Sequence, residues 1–284
     1  MSVVWLDGEL VDKADAKIGV ADHGLLFGDG VTADMRAYGG RVFRLAQHLD
    51  RLHAAADDIG LSLPVAGSDL ASAIDATLKA NNRADGFVKL VVTRGAGPLT
   101  LDPRKCVPVM FILAEEAAPF PRELYDCGLD VTVQQVTWRS ADCYLGGSGR
   151  LGPKRTALAN GCLEALVTDK DDSLAGGSET DVAVVAGGVL RFAPGGPTHD
   201  AVADLAESLG LAVERDAVIP LPEVPPAGVT TLGMDEVFLT SAAAQVIGVR
   251  SVLGRPVGAG GEGPVTRRLR REFAAMVRAE CAVN

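Results

Sequence analysis

The residues with the plainest chemical meaning lie in the stretch Asp22–Leu52, DHGLLFGDGVTADMRAYGGRVFRLAQHLDRL. Its glycines mark a turn, and its end reads as a helix beginning near Leu45 that carries Arg51 one turn past Gln47. An arginine held on a helix beside a glycine-rich turn can grip an anion such as a phosphate, because the guanidinium offers a planar fork of N–H donors.

Composition narrows the classes of partner. The net charge of −10 disfavours nucleic acid, whose phosphates require a basic face. The densest basic run, Arg267–Arg271, sits in VTRRLRREFAAMVRAE, where apolar residues recur at helical spacing, so it reads as a solvated helix face. The N-terminus, MSVVWLDGELVDK, has neither the charged start nor the long apolar core of a signal peptide. No window approaches the roughly 18 uninterrupted apolar residues of a membrane span. The five cysteines, Cys106, Cys127, Cys143, Cys162 and Cys281, are scattered and form no CxxC, which suits a reduced, cytoplasmic compartment with each thiol acting as a small buried hydrophobe. His23, His48, His53 and His199 show no ligand spacing with cysteines or carboxylates, so no metal site is expected.

Positioning elements follow from pattern. Val3–Leu6 and Glu9–Val11 read as a hairpin around Asp7-Gly8, and Val31–Tyr38 with Val42–Arg44 as a second hairpin through Gly39-Gly40. Leu45–Ile59 and Ser68–Asn81 carry helical periodicity, while Phe87–Thr93 and Val107–Ala114 are apolar strands. These elements make an N-terminal α+β domain over residues 1–114. Residues 115–124, containing EEAAPFPRE, read as a linker, and residues 125–284 as a second domain. There the expected strands are Leu129–Val136, Val182–Val185, Val189–Phe192, Val213–Val218 and Glu236–Leu239. A helix, Asp200–Leu209, follows the turn Gly195-Gly196-Pro197-Thr198. Ser140–Pro153 fits neither period and reads as a long surface loop of the kind that often carries function.

The opening stretch also resembles the N-terminal signature of the fold-type IV pyridoxal-phosphate enzymes: the branched-chain and D-amino-acid aminotransferases and aminodeoxychorismate lyase. The likeness continues through VVTRG at Val91–Gly95, GGPTHDAVADLAESLGLAVERD, MDEVFLTSAAAQVIGV and GRPVGAGGEGPVTRRL, and so covers nearly the whole chain. It implies an α+β fold with a small N-terminal α/β sandwich and a larger C-terminal β-barrel-like domain flanked by helices. It also implies transamination of a small amino acid against a keto acid with pyridoxal 5'-phosphate, in a homodimer.

Carried over residue by residue, the resemblance makes Lys154, in LGPKRTALANGCLEAL, the Schiff-base lysine. Arg51, Glu179, Thr180, Thr198, Ser241 and Ala242 become the cofactor-binding residues. Arg94 becomes a holder of the substrate carboxylate, and Thr32 lines the substrate side.

Several positions depart from the family's pattern. Aligning EALVTD with the family's E-A-L-x-L-D puts the family lysine near Cys143 rather than at Lys154. In GGSETD, Gly176 stands where the family's glutamate faces the pyridine nitrogen, and Asp181 replaces its asparagine. Pro197 removes one backbone donor from the family's G-I-T phosphate cup. Ala243 replaces a hydroxyl, and Thr32 and Ala33 replace an aromatic residue and a glutamate. Two other readings therefore stand beside transamination: a lyase of the aminodeoxychorismate type, and a family member that no longer holds the cofactor and binds or catalyses something else.

Overall fold

The structure is a computed structural model that describes residues 2–136, 150–221 and 233–281. The chain divides into two compact units. One is built mainly from residues up to Ala118 and joined by the terminal segment from Val277; the other runs from Pro119 to Met276.

In the first unit the elements run β1 (Val3–Leu6), β2 (Glu9–Asp12), α1 (His23–Phe27), β3 (Gly30–Tyr38), β4 (Arg41–Val42), α2 (Leu45–Asp58), α3 (Gly67–Ala80), β5 (Gly86–Thr93) and β6 (Val109–Glu116). The six strands form one antiparallel sheet in the order β2-β1-β6-β5-β3-β4. Helical spacing brings His48, Leu49, Leu52, Ala55 and Ala56 to one buried face of α2, and Leu70, Ala73, Ile74, Thr77 and Leu78 to one face of α3. These faces join Met35, Val88, Leu90, Met110 and Ile112 of the sheet in one core. Arg44 precedes α2 with φ +53° and no side-chain cap; its guanidinium instead makes two bonds of 3.1 Å to the carboxylate of Glu280.

The second unit contains α4 (Arg122–Cys127), β7 (Leu129–Gln135), α5 (Leu151–Ala159), β8 (Glu164–Thr168), β9 (Leu174–Gly177), β10 (Asp181–Ala186), β11 (Val189–Phe192), α6 (Pro197–Ser208), β12 (Ala212–Glu214), β13 (Glu236–Ser241), β14 (Gln245–Val252) and β15 (Arg255–Pro256). The last helix, α7, spans Pro264–Glu280. Its sheet runs β12-β11-β10-β13-β14-β7-β8-β9, with β15 added to β14, and it curls until β9 lies beside β10. That is the barrel-like form implied by the resemblance. Pairing is mixed: β7 runs parallel to both β8 and β14, and β11 parallel to β12.

The expected elements differ from the observed ones for identifiable reasons. Glu115 and Glu116 extend β6 rather than beginning a linker, because Glu116 still pairs with Gly86. The expected strand Val213–Val218 stops at Glu214, where Asp216 takes φ +49°. In the expected loop Ser140–Pro153, Leu151–Pro153 are the first turn of α5, and residues 140–149 lie outside the described residues. The basic run of α7 is not only a solvated face: Arg267 and Arg270 both bind the carboxylate of Glu262, whose side chain is 1% exposed. Among the cysteines, Cys281 is buried, Cys106, Cys127 and Cys162 are half-buried, and Cys143 lies outside the described residues. Among the described residues, no helix is long and apolar enough to cross a membrane.

Candidate active site

The second unit gathers a polar cluster on the short connection from β9 to β10, Gly176-Gly177-Ser178-Glu179-Thr180. The turn closes on itself: the N–H of Gly177 donates to the carbonyl of Thr180 at 2.6 Å. A Cβ on Gly177 would lie 2.1 Å from Oγ1 of Thr180, so only glycine allows the turn to be this tight. Beneath it sits Glu164 of β8, fully buried. Its carboxylate accepts the N–H groups of Ala165, Ser178 and Glu179 at 2.9, 2.8 and 3.1 Å and the Thr180 hydroxyl at 3.2 Å, and it also takes the Ser178 hydroxyl. A buried carboxylate is tolerated only when its oxygens are satisfied in this way. Glu164 therefore moulds the turn. It is a residue that sequence reasoning overlooked, although its place at the head of the EALVTD strand was a readable signal.

The turn holds Lys154. This residue lies in the first part of α5, and its Nζ donates to the Leu163 carbonyl at 2.8 Å and to Oε2 of Glu179 at 2.5 Å. Two of the expected site residues, Lys154 and Glu179, are thus brought into direct contact. Thr180 lies beside them, but its hydroxyl is spent on Glu164.

Beyond β10 and β11 the chain reaches the start of α6. Gly196 caps that helix and Pro197 occupies its first turn. The first N–H groups of a helix carry partial positive charge and suit an anion. Here the anion comes from the chain itself: Oδ2 of Asp181 accepts the Gly196 N–H at 2.9 Å, and Asp181 is 7% exposed. Thr198, also buried, follows in the same turn. His199 accepts at Nδ1 from the Thr240 hydroxyl at 2.7 Å and donates from Nε2 to the Ala193 carbonyl at 3.0 Å, which ties α6 to the end of β13. Its ring packs so closely that a Cβ on Gly195 would lie 2.5 Å from Cδ2. Just past Thr240, the Ser241 hydroxyl accepts the Ala244 N–H at 2.9 Å, shaping the turn that contains Ala242. His199, Thr240 and Asp181 are the members of this cluster that sequence reasoning did not assign, because their polar partners come from separate strands and a helix.

The remaining candidates lie in the first unit. Arg51 is on α2 one turn after His48. Burial and then the neighbouring Arg51 charge push the His48 pKa down to about 4. Arg94, expected to hold a substrate carboxylate, is engaged within its own unit. Its guanidinium binds both oxygens of Asp29 at 3.0 Å and the carbonyls of Ile59 and Gly60 at 2.7 Å, and it is 8% exposed. Those bonds stitch the end of α2 to the start of β3 and occupy four of the five guanidinium N–H groups. The Thr32 hydroxyl is likewise turned to its own sheet, donating to the Leu90 carbonyl at 3.0 Å.

With this geometry in place, comparison with known proteins is decisive for the family. The pattern of the amino-transferases of class IV matches residues 30–252. This chain belongs to the class IV aminotransferase family. It is 33% identical over 283 residues to a protein of Methanocaldococcus jannaschii provisionally named a branched-chain-amino-acid aminotransferase, covering 95% of this chain and 94% of that one. It is 28% identical over 293 residues to a D-alanine aminotransferase of Listeria monocytogenes, covering 98% and 97%. Among solved structures, the branched-chain amino acid aminotransferase of Escherichia coli superposes with a TM-score of 0.86 at 26% identity, covering 97% of this chain and 94% of that chain. The branched-chain amino acid aminotransferase of T.th., solved with pyridoxamine 5'-phosphate, also gives 0.86 at 26% identity, covering 98% and 94%. The chain is therefore an aminotransferase of class IV in fold and family, and pyridoxal phosphate is the cofactor the family implies.

The second unit fits that cofactor at its amine and its hydroxyls. Lys154 is a primary amine steered by a carboxylate and a carbonyl, and Thr198 and Ser241 stand at the α6 start and the β13 end. Two further features of this unit are the carboxylate of Asp181 on the α6 N-terminus, and Gly176. Gly176 has φ +136°, a backbone that side chains rarely adopt, and a Cβ there would sit 3.1 Å from the Thr180 carbonyl and 3.7 Å from a guanidinium nitrogen of Arg150. No carboxylate can replace that glycine without moving the turn.

Proposed function

We propose that this chain transfers an amino group between a small amino acid and a keto acid, using pyridoxal phosphate in a pocket that departs from the family's pattern. The observation that carries the reading is the Lys154–Glu179 contact within a chain whose residues 30–252 match the class IV aminotransferases. The cofactor, when bound, supplies a carbonyl for an amine and an electron sink for the carbanion formed next to it. The protein's part is played by its own side chains. Lys154 presents the amine and carries a proton at Nζ. Glu179 holds that amine in place and accepts its hydrogen bond. Thr198 and Ser241 offer hydroxyls to a phosphoryl group, and Ala242 offers backbone beside them. Arg51, on the first unit, is that unit's candidate for an anion. Branched-chain and D-alanine substrates are both proposed on the names of the relatives, and no described residue separates them.

A homodimer is part of this reading. The first unit exposes Val20 at 85%, Leu25 at 60%, Leu99 at 79%, Leu101 at 78% and Val107 at 73%, apolar side chains that a second copy could cover. Light scattering on the purified protein measures the mass directly, and a monomer at micromolar concentration would remove this part.

A second reading has specific support. Asp181 and Gly176 favour a family member that no longer holds the cofactor. The experiment that separates the two is an absorbance spectrum with and without added pyridoxal phosphate, followed by transamination of L-leucine and D-alanine against 2-oxoglutarate. A new visible band with turnover supports the first reading. Neither band nor turnover leaves the second.

A further inference from the structure

We propose that the second unit binds a free α-amino acid at a site apart from the Lys154 cluster, in the cleft between β7, the end of β14 and the connection from α5 to β8. The proposal does not depend on the cofactor reading above.

Three observations meet there. The first is space. A cleft of about 720 Å³, bordered by Asp130, Thr132, Cys162, Arg250 and Ser251, lies wholly within the second unit, and neither Lys154 nor Glu179 lines it. Small-molecule sites commonly span roughly 300–1,000 Å³.

The second is the pairing of Arg250. Its Nε and Nη2 donate to Oδ1 and Oδ2 of Asp130 at 2.9 and 2.5 Å. That bidentate bond uses one edge of the guanidinium. The other fork, formed by Nη1 and the second hydrogen of Nη2, has no partner among the described residues, and the side chain is 42% exposed. A carboxylate matches such a fork. Asp130 lies alongside. Its Oδ1 also takes the Ser251 hydroxyl, whereas Oδ2 has Nη2 alone and keeps a lone pair. The hydrogen bond from Arg250 holds the Asp130 carboxyl below the usual carboxylate range, so it is ionised at neutral pH.

The third is Thr132, two residues along β7 and so on the same face as Asp130. It is 6% exposed, and its hydroxyl has no hydrogen-bond partner among the described residues. A buried hydroxyl left unsatisfied is costly, and a polar ligand atom in the cleft relieves that cost.

Together these groups select a charge pattern. The Asp130–Arg250 pair is neutral overall, so a ligand with one charge is attracted by one member and repelled by the other. A zwitterion gains from both. Its carboxylate meets the free fork of Arg250, and its α-ammonium, one carbon away, turns to Oδ2 of Asp130 and the Thr132 hydroxyl.

Cys162 supplies a local reporter, because it borders the same cleft and is a free, half-buried thiol. The test is the rate at which N-ethylmaleimide modifies Cys162 in the full-length protein, followed by peptide mass spectrometry, with Cys106 of the first unit as the reference thiol. L-leucine at millimolar concentration should slow Cys162 by about fivefold or more and leave Cys106 unchanged. Isocaproate, which lacks the ammonium, and isoamylamine, which lacks the carboxylate, should each need roughly tenfold higher concentration for the same protection. Arg250→Gln should weaken protection by L-leucine about tenfold or more, and Thr132→Val by roughly three- to tenfold. A purely structural Thr132 would shift the melting temperature in Thr132→Val and leave protection as in wild type. Thermal melts confirm that the variants fold, and the wild-type comparison of the three ligands decides the matter if one does not. No protection of Cys162 by L-leucine would overturn the proposal. So would equal protection by isocaproate or isoamylamine, or undiminished protection in both variants.

Discussion

Nζ of Lys154 is pinned between Oε2 of Glu179 at 2.5 Å and the carbonyl of Leu163 at 2.8 Å. The amine comes from α5, the carboxylate from the β9–β10 connection and the carbonyl from the residue before β8. The contact therefore exists only when three pieces of chain are assembled. It makes Lys154 the best-placed primary amine of the second unit, since Lys170 instead pairs with its neighbour Asp171 at the surface.

Lys154→Ala should abolish any visible band that the wild-type protein develops with pyridoxal phosphate, and transamination with it. Glu179→Gln should leave stability within about 1 kcal/mol, because Glu179 is 66% exposed and such pairs contribute little. It should nevertheless slow turnover by loosening the amine. An unchanged band in Lys154→Ala would show that another residue holds the cofactor.

Glu164→Gln should destabilise the protein by about 3 kcal/mol. The amide would turn a donor nitrogen towards N–H groups that now share a carboxylate, those of Ala165, Ser178 and Glu179. Urea unfolding should show a lower midpoint at unchanged slope, and cofactor affinity should fall as the turn loosens.

Arg94→Ala should act on stability rather than on substrate binding. Four N–H bonds to Asp29, Ile59 and Gly60 are lost, and the expected cost is about 2–3 kcal/mol for removing one partner of a mostly buried pair. KM for the amino acid should stay close to the wild-type value at a temperature where the variant is folded. A large rise in KM with unchanged stability would return Arg94 to the substrate side.

His48 predicts an acid limb in stability. Burial and the Arg51 charge lower its pKa from 6.5 to about 4, so the folded protein binds fewer protons than the unfolded chain between those values. Stability contributed by the neutral ring is complete above pH 6.5 and is lost as pH falls towards 4, by up to about 3 kcal/mol. Unfolding midpoints measured from about pH 7.5 to 4 should fall over that window, and His48→Gln should flatten the slope attributable to this residue.

Much of the scaffold was legible along the chain because local pattern and tertiary demand agree. The β1–β2 hairpin follows from Asp7-Gly8, and α2 and α3 from apolar residues three and four apart; all appear within a residue or two of their expected ends. The helix α5 was not legible: Leu151 and Leu158 leave it no strong apolar face, and its packing against β7 and β8 supplies what periodicity does not. Strands β8 and β9 escape pattern reading for the opposite reason, since β8 is buried throughout and lacks the alternation that marks a half-exposed strand.

What the sequence by itself determined is the family scaffold and the inventory of its chemistry: a strand-and-helix order that matches a known family, a handful of lysines, a glycine where a carboxylate is expected and an aspartate where an amide is expected. What only the tertiary structure decided is how those groups are spent. Arg94 went to Asp29 and two carbonyls, Lys154 to Glu179, and Asp181 to the start of α6. The reason is physical: a residue's type fixes which bonds it can make, but a buried polar group must be satisfied by whichever partner folding brings within about 3 Å. In this chain those partners are 25 residues away for Lys154, 65 for Arg94 and 15 for Asp181, separations across which no local pattern carries information.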